Sequence, residues 1–171
     1  MFKFAFLLMI SLFNLVFSQS VELKVDYWSN GNKKSETQIK NGKIEGKEIV
    51  WFENGNKKSE ADYIDGKLNG KAFGWYENGT KKGECEYKDG VLNGKFFRWH
   101  KTGILEQECE YKDDEINGTK IIFNNKGAKV CVAEYKKGLK HGTYLKWNSE
   151  GKKVNDEIYK DGIMIKNNLE N

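Results

Sequence analysis

The chain has 171 residues, 29 of them Lys or Arg and 25 Asp or Glu, for a formal charge of +4, and it contains no proline. Opposite charges are interleaved throughout, which argues against the concentrated basic face that nucleic-acid binding requires. The length suits one domain, and beyond Phe17 no apolar run approaches the ~20 residues a membrane-spanning helix needs.

The first element in chain order is a leader. Lys3 supplies a positive charge, and Phe4 to Phe17 is apolar apart from Ser11 and Asn14. Val16 and Ser18 stand at the minus three and minus one positions for cleavage before Gln19. This layout is that of a secretory signal peptide over residues 1–18. The run is short for a retained anchor, so a secreted, periplasmic or cell-envelope protein is expected, with a mature domain over 19–171. Loss of Lys3 takes its formal charge from +4 to +3.

The mature domain repeats itself. Gly31, Gly55, Gly79, Gly103, Gly127 and Gly151 are each 24 residues apart. A second series runs Gly42, Gly66, Gly90, Gly138 and Gly162, with Asp114 in the gap, and a third runs Gly46, Gly70, Gly94, Gly118 and Gly142. Together they hold 16 of the 18 glycines; Gly74 and Gly83 fall outside. A fixed period in this range marks stacked supersecondary units. Six fit: Leu23–Gly46, Lys47–Gly70, Lys71–Gly94, Lys95–Gly118, Thr119–Gly142 and Thr143–Lys166.

Each unit alternates two turn signals with two short segments. The first turn reads Asn-Gly at 30–31, 54–55 and 78–79; the second reads Asp-Gly at 65–66, 89–90 and 161–162 and closes on the third glycine. Both dipeptides favour hairpins because both residues tolerate positive φ. Segments of six to eight residues between them are too short for helices and suit strands. The fold class expected is all-β: an elongated, twisted or curled antiparallel meander of six β-hairpin repeats.

Alternation sets the faces. Ile49 and Trp51 recur as Phe73 and Trp75, Phe97 and Trp99, Ile121 and Phe123, and Leu145 and Trp147, which places these odd positions toward the core. A three-residue loop ending in a positive-φ glycine pairs Trp51 with Lys57 and Ile49 with Ser59. The same face then gathers a small-residue column of Ala61, Cys85, Cys109 and Ala133 beside a tyrosine column of Tyr63, Tyr87, Tyr111, Tyr135 and Tyr159. Trp51, Trp75, Trp99 and Trp147 with these tyrosines form the expected structural core. A two-residue loop would instead put the tryptophans beside Lys58, Glu60 and Asp62, and is disfavoured.

The order aromatic, two residues, Asn-Gly, then Glu, Tyr, Asp-Gly and a further Gly resembles the MORN-repeat variant seen in many bacterial proteins. The resemblance covers nearly the whole mature chain. It implies an elongated, curled β-sheet; the hairpin here is longer and richer in lysine than in the better-known MORN pattern, and lacks its Gly-x-Gly core. Some bacterial proteins with such repeats are catalogued as antitoxins of toxin–antitoxin pairs, a cytosolic role at odds with a signal peptide. MORN repeats are also found in membrane-associated proteins.

Few constellations promise chemistry. His100 fills the slot of Trp28, Phe52 and Tyr76, and His141 that of Asn69, Asn93 and Asn117, so both read as repeat variants. No zinc-protease helix motif, nucleophile elbow, phosphate loop or Cys-x-x-Cys is present; catalytic residues, metal ligands and cofactors are expected to be none. Cys85 and Cys109 are equivalent positions two strands apart, ~10 Å at the usual strand spacing, too far for a disulfide. With Cys131 they read as three reduced thiols packed as small apolar residues. Glu60, Glu84 and Glu108, and Asp62, Glu86, Glu110 and Glu134, form acidic columns on the face opposite the rings, best read as salt-bridged and solvated. The rim column Phe52, Tyr76 and His100, with Arg98, is the candidate binding surface. These observations point to a non-enzymatic exported scaffold whose partner is a protein. The alternatives are a peripheral module binding a membrane surface or lipid headgroups, or an antitoxin-like protein. Neither nucleic acid nor a small-molecule substrate is implied.

Overall fold

The computed structural model describes residues 20–169. The leader expected over residues 1–18 lies outside the described residues. The described chain is one open sheet of 14 antiparallel strands in sequence order. The strands are β1 (Glu22–Tyr27), β2 (Lys33–Lys40), β3 (Lys43–Trp51), β4 (Lys57–Ile64), β5 (Lys67–Trp75), β6 (Lys81–Lys88) and β7 (Val91–Trp99). They continue as β8 (Leu105–Lys112), β9 (Glu115–Ile116), β10 (Gly118–Phe123), β11 (Lys129–Lys136), β12 (Leu139–Trp147), β13 (Lys153–Lys160) and β14 (Ile163–Asn167). The short β9 pairs only with β8 and is separated from β10 by Asn117; elsewhere each strand lies between its sequence neighbours. The expected all-β meander is the observed fold.

Two turn types alternate, as the dipeptides require. At the first, Phe52 N donates to Asn56 O at 2.8 Å and Gly55 N to Phe52 O at 3.0 Å, enclosing a three-residue loop with Gly55 at φ 86°. The second is a two-residue turn between paired Ile64 and Lys67, with Asp65 at φ 53° and Gly66 at φ 79°. Positive φ at both central residues gives the primed turn whose twist matches that of strands. The hairpin thus closes at once rather than on the third glycine. That glycine, for example Gly70 at φ 109°, instead occupies a bulge between the pairs Ala61–Ala72 and Tyr63–Leu68. The 16 glycines of the periodic series are the 16 with positive φ; Gly74 and Gly83 are not among them.

The face assignment needs correction. Trp51 pairs with Lys57 as expected, but the next pair is Val50–Ser59 and the one after it Ile49–Glu60. One extra residue, Lys58, enters the ladder beside the loop. Because side chains alternate with period two, a one-residue shift exchanges every partner for its neighbour on the other face. The same shift occurs at Gly74/Trp75, Arg98/Trp99, Ile122/Phe123 and Lys146/Trp147. Trp51, Trp75, Trp99 and Trp147 therefore share a face with Glu60, Glu84 and Glu108. Tyr63, Tyr87, Tyr111 and Tyr135 lie on the opposite face with Ala61, Cys85, Cys109 and Ala133. The expected single dry side carrying both ring columns does not form.

A single layer buries little. Among the described residues only Gln107, Cys109, Ala133 and Glu157 are buried, with Ala133 at 1% exposure and Cys109 at 4%, and all four lie on the tyrosine face. The units are instead stitched along both rims. Asn30 donates to Glu53 O at 3.0 Å, Asn54 to Glu77 O at 2.9 Å and Asn78 to Lys101 O at 3.3 Å, each reaching one unit onward. The same asparagines accept from Asn32 N, Asn56 N and Thr80 N within their own loops. Where the loops read Lys-Gly and Glu-Gly, Asn124 and Asn148 cap their own loops instead. On the other rim, Gly66 N donates to Ile44 O and Gly90 N to Leu68 O, both at 2.8 Å.

The two glycine classes should respond oppositely to alanine. Gly94→Ala meets the Glu86 side chain and a φ of 131°, so a loss of about 1–3 kcal/mol is expected. Gly74→Ala has ordinary space and no positive φ, so a gain of about 0.5–1 kcal/mol is expected. Urea midpoints of the two variants measure the contrast; equal losses would contradict it.

Candidate functional site

The tryptophan face is a ladder of rings and paired ions. Lys47 and Lys57 both reach Glu60, at 2.7 and 2.6 Å, and Lys47 also meets Asp62 at 3.0 Å. One unit on, Lys71 lies 3.3 Å from Glu84, which also pairs with Lys81. The lysine chains lie over the indoles, Lys57 5.4 Å from the Trp75 ring centre and Lys81 4.8 Å from that of Trp99. Donation from Lys47 and Lys57 holds the Glu60 carboxyl below its ordinary value of 4.5, and donation from Lys81 does the same for Glu84. Glu60, Asp62 and Glu84 of the acidic columns are thus salt-bridged as expected, whereas Glu86 and Glu134 accept from the backbone N–H groups of Lys95 and Thr143 instead, and the columns share the tryptophan face.

The tyrosine face is tighter and less charged. Phe96 is the register partner of Cys85 on one side and Cys109 on the other, and its ring meets Tyr111 edge-on at 5.6 Å. All three cysteines are free thiols, and Cys131 lies on this face opposite Ile122 and Lys146. Burial pushes each thiol up from its ordinary value. Burial, with Cys85 nearby, also pushes the Tyr87 hydroxyl up to about 12. Such thiols are poor nucleophiles at neutral pH. Cys109 is buried, whereas Cys85 and Cys131 are only half-buried.

The four candidate contact residues are divided between tasks. Tyr76 donates its hydroxyl to Trp99 O at 2.9 Å, as Trp28 donates its indole N–H to Trp51 O at 3.2 Å, so these rim rings bridge units. The Nε2 atom of His100 is buried without a hydrogen-bond partner, and the backbone of His100 closes its loop with Ile104. Arg98 lies on the tyrosine face opposite Gly83 and Gln107 and pairs with Glu106. Phe52 and Arg98 come together at an open hollow of 490 Å³ on that face; Tyr76 and His100 are not in its lining. His141 meets Asp161 at 3.1 Å, the bond Asn69 makes to Asp89 at 3.3 Å, and so fills a repeat slot.

The hollow is the feature that sequence reasoning missed. Its floor is the directly paired Gly74 and Gly83, flanked by Ser59 and Arg98 in one row across β4 to β7. Those two glycines were visible as the pair outside every periodic series. Their facing each other followed only from the bulge register. Among the described residues, no three His, Cys, Asp or Glu side chains converge as a metal site would need.

The architecture is that of a stacked-hairpin repeat protein whose two faces are both presented to solvent. Residues 44–65, 68–89 and 92–113 match the family described as MORN repeat variant, and residues 44–113 are accordingly three consecutive MORN-variant units. Each match starts on the strand after a two-residue turn and ends within the next such turn, so the family unit is the hairpin around the three-residue loop. Repeats of this family are a non-catalytic type that generally mediates interaction with proteins or membrane lipids. A comparison with curated proteins gives no match.

Two measurements follow from this geometry. In native alkylation, Cys109 should react slowest of the three thiols; prompt labelling of Cys109 would contradict its burial. Because Glu60 and Glu84 have lowered folded-state pKa values, their contribution is present above the ordinary glutamate range and lost as pH falls through the folded value. The urea midpoint should drop between about pH 5 and about pH 3, and the drop should shrink in a Glu60→Gln, Glu84→Gln variant. An unchanged acid profile in that variant would count against the ladder.

Proposed function

We propose that the chain is an exported, non-enzymatic scaffold that binds another protein through the repeated surface of its sheet. The observation that carries this reading is the single layer itself. Among the described residues, a 14-stranded sheet with four buried residues encloses no reaction chamber, yet offers two long faces of regularly spaced side chains. The interaction role of MORN-variant repeats supports it, and the leader-like residues 1–18 support export. An antitoxin role would place the chain in the cytosol and is the weaker reading for that reason.

The test is recovery of the native chain from its source with whatever accompanies it. The expected result is a mature N-terminus at Gln19 outside the cytosol, with one protein bound in fixed ratio that survives high salt and detergent. Recovery in the cytosol with Met1 retained would contradict export. Co-sedimentation with anionic vesicles that salt abolishes, with no bound protein, would favour a lipid-surface role instead.

A further inference from the structure

Sixteen glycines are accounted for by positive φ; two are not. Gly74 and Gly83 occupy strand interiors, pair directly with each other, and have room for a Cβ, with nearest atoms at 4.0 and 3.6 Å. Glycine in a strand interior weakens it by about 0.5–1 kcal/mol. The repeat fills the same slots elsewhere with side chains: Val50, Arg98, Ile122 and Lys146 for the first, and Ser59, Gln107, Cys131 and Asn155 for the second. Folding therefore does not demand these glycines. The bulge beside Gly74 does not demand them either, since it forms equally beside Val50, Arg98, Ile122 and Lys146; a further use of an interior strand glycine is close approach of another group to the backbone.

The surroundings define that group. Phe52 and Phe96 flank the bare floor, and Lys58, Lys82 and Arg98 are the charged residues of the lining, with no acid among them. Lys58 lies over the Phe52 ring at 5.8 Å and Lys82 over the Tyr76 ring at 5.7 Å. Neither lysine is ion-paired among the described residues, in contrast to Lys47, Lys57, Lys71 and Lys81 on the other face. The bulge explains the clustering, because the extra residue beside the loop is Lys58 in one unit and Lys82 in the next. The volume of 490 Å³ falls in the range of ligand sites, about 300–1,000 Å³.

We propose that the Gly74–Gly83 hollow binds an acidic segment of a partner protein, which lays an aromatic ring on the bare backbone between Phe52 and Phe96 and presents its carboxylates to Lys58, Lys82 and Arg98. The flat floor suits a ring face, and a cationic rim with two unpaired lysines beside the Glu106-paired Arg98 selects negative flanks. This names the chemistry of the partner and rests on the scaffold reading above.

The probe is a pentapeptide with a central tyrosine and two acidic residues on each side. Backbone amide shifts of Gly74 and Gly83 in the 15N-labelled domain report occupancy, and calorimetry gives the affinity. The expected result is saturable binding that shifts both amides and weakens as salt rises. Binding should be at least tenfold weaker with alanine at the peptide's centre or lysines in its flanks. Gly74→Val and Gly83→Ser, which install the residues found at the same slots as Val50 and Ser59, should keep the melting temperature or raise it while weakening binding at least tenfold. Lys82→Glu should do the same to binding through charge alone. Undiminished binding in the glycine variants would overturn the proposal, as would equal binding of the lysine-flanked peptide. So would binding of anionic vesicles, but not of the peptide, at these amides. If the glycine variants still retain the native partner, the hollow proposal fails and the scaffold reading stands; if no protein accompanies the parent chain either, the scaffold reading fails as well.

Discussion

Each three-residue loop is followed by one strand residue too many, and the composition of both faces depends on that surplus. Lys58 opposes no residue of its own, so Ile49 meets Glu60 and Val50 meets Ser59. Tryptophans consequently line up with the lysine–glutamate ladder, and tyrosines with the small residues and thiols. Without the extra residue, the acids and the tyrosines would change places. The bulge also releases a lysine from the ion-paired face and delivers it to the other, where the glycine hollow lies.

A sheet of this kind has no interior in the usual sense. Its stability is a sum of short-range contributions: cross-strand pairs of about 0.2–1 kcal/mol and surface ion pairs of about 0–1 kcal/mol each. Asparagine bonds from one loop to the next add to them, and each unit touches mainly its neighbours. Burial is deepest at Ala133 and Cys109, the last two members of the small-residue column. There the Phe96 ring lies between Cys85 and Cys109. The thiols act as compact apolar groups whose chemistry is suppressed by their surroundings.

Much of the fold was legible in the residues, because its determinants are local. The first two glycine series located the turns, since each turn ends on a positive-φ residue, preceded in the second type by a positive-φ Asn, Asp or Lys, and Asp114 could stand in because Asp also tolerates that conformation. The Trp51–Lys57 closure followed from the loop length alone. The faces were not legible in the same way, because a bulge leaves no mark in hydrophobic alternation read strand by strand. One signal was present: Lys47 and Lys71 stand where a shifted register would put them beside Glu60 and Glu84. Of the candidate surface, Phe52 and Arg98 do meet at one hollow, while Tyr76 is committed to Trp99. The hollow itself depends on which residues face each other across strands, information that a linear reading does not hold.

The account turns on the partner of Ile49. In a background where Cys85→Ala, Cys109→Ala and Cys131→Ser remove the native thiols, paired substitutions Ile49→Cys with Glu60→Cys bring two sulfurs into bonding range, whereas Ile49→Cys with Ser59→Cys do not. Mild oxidation followed by peptide mapping should give a quantitative 49–60 disulfide and none at 49–59. A 49–59 disulfide, with 49–60 remaining reduced, would return the tryptophans and tyrosines to one face and remove the basis for the glycine hollow.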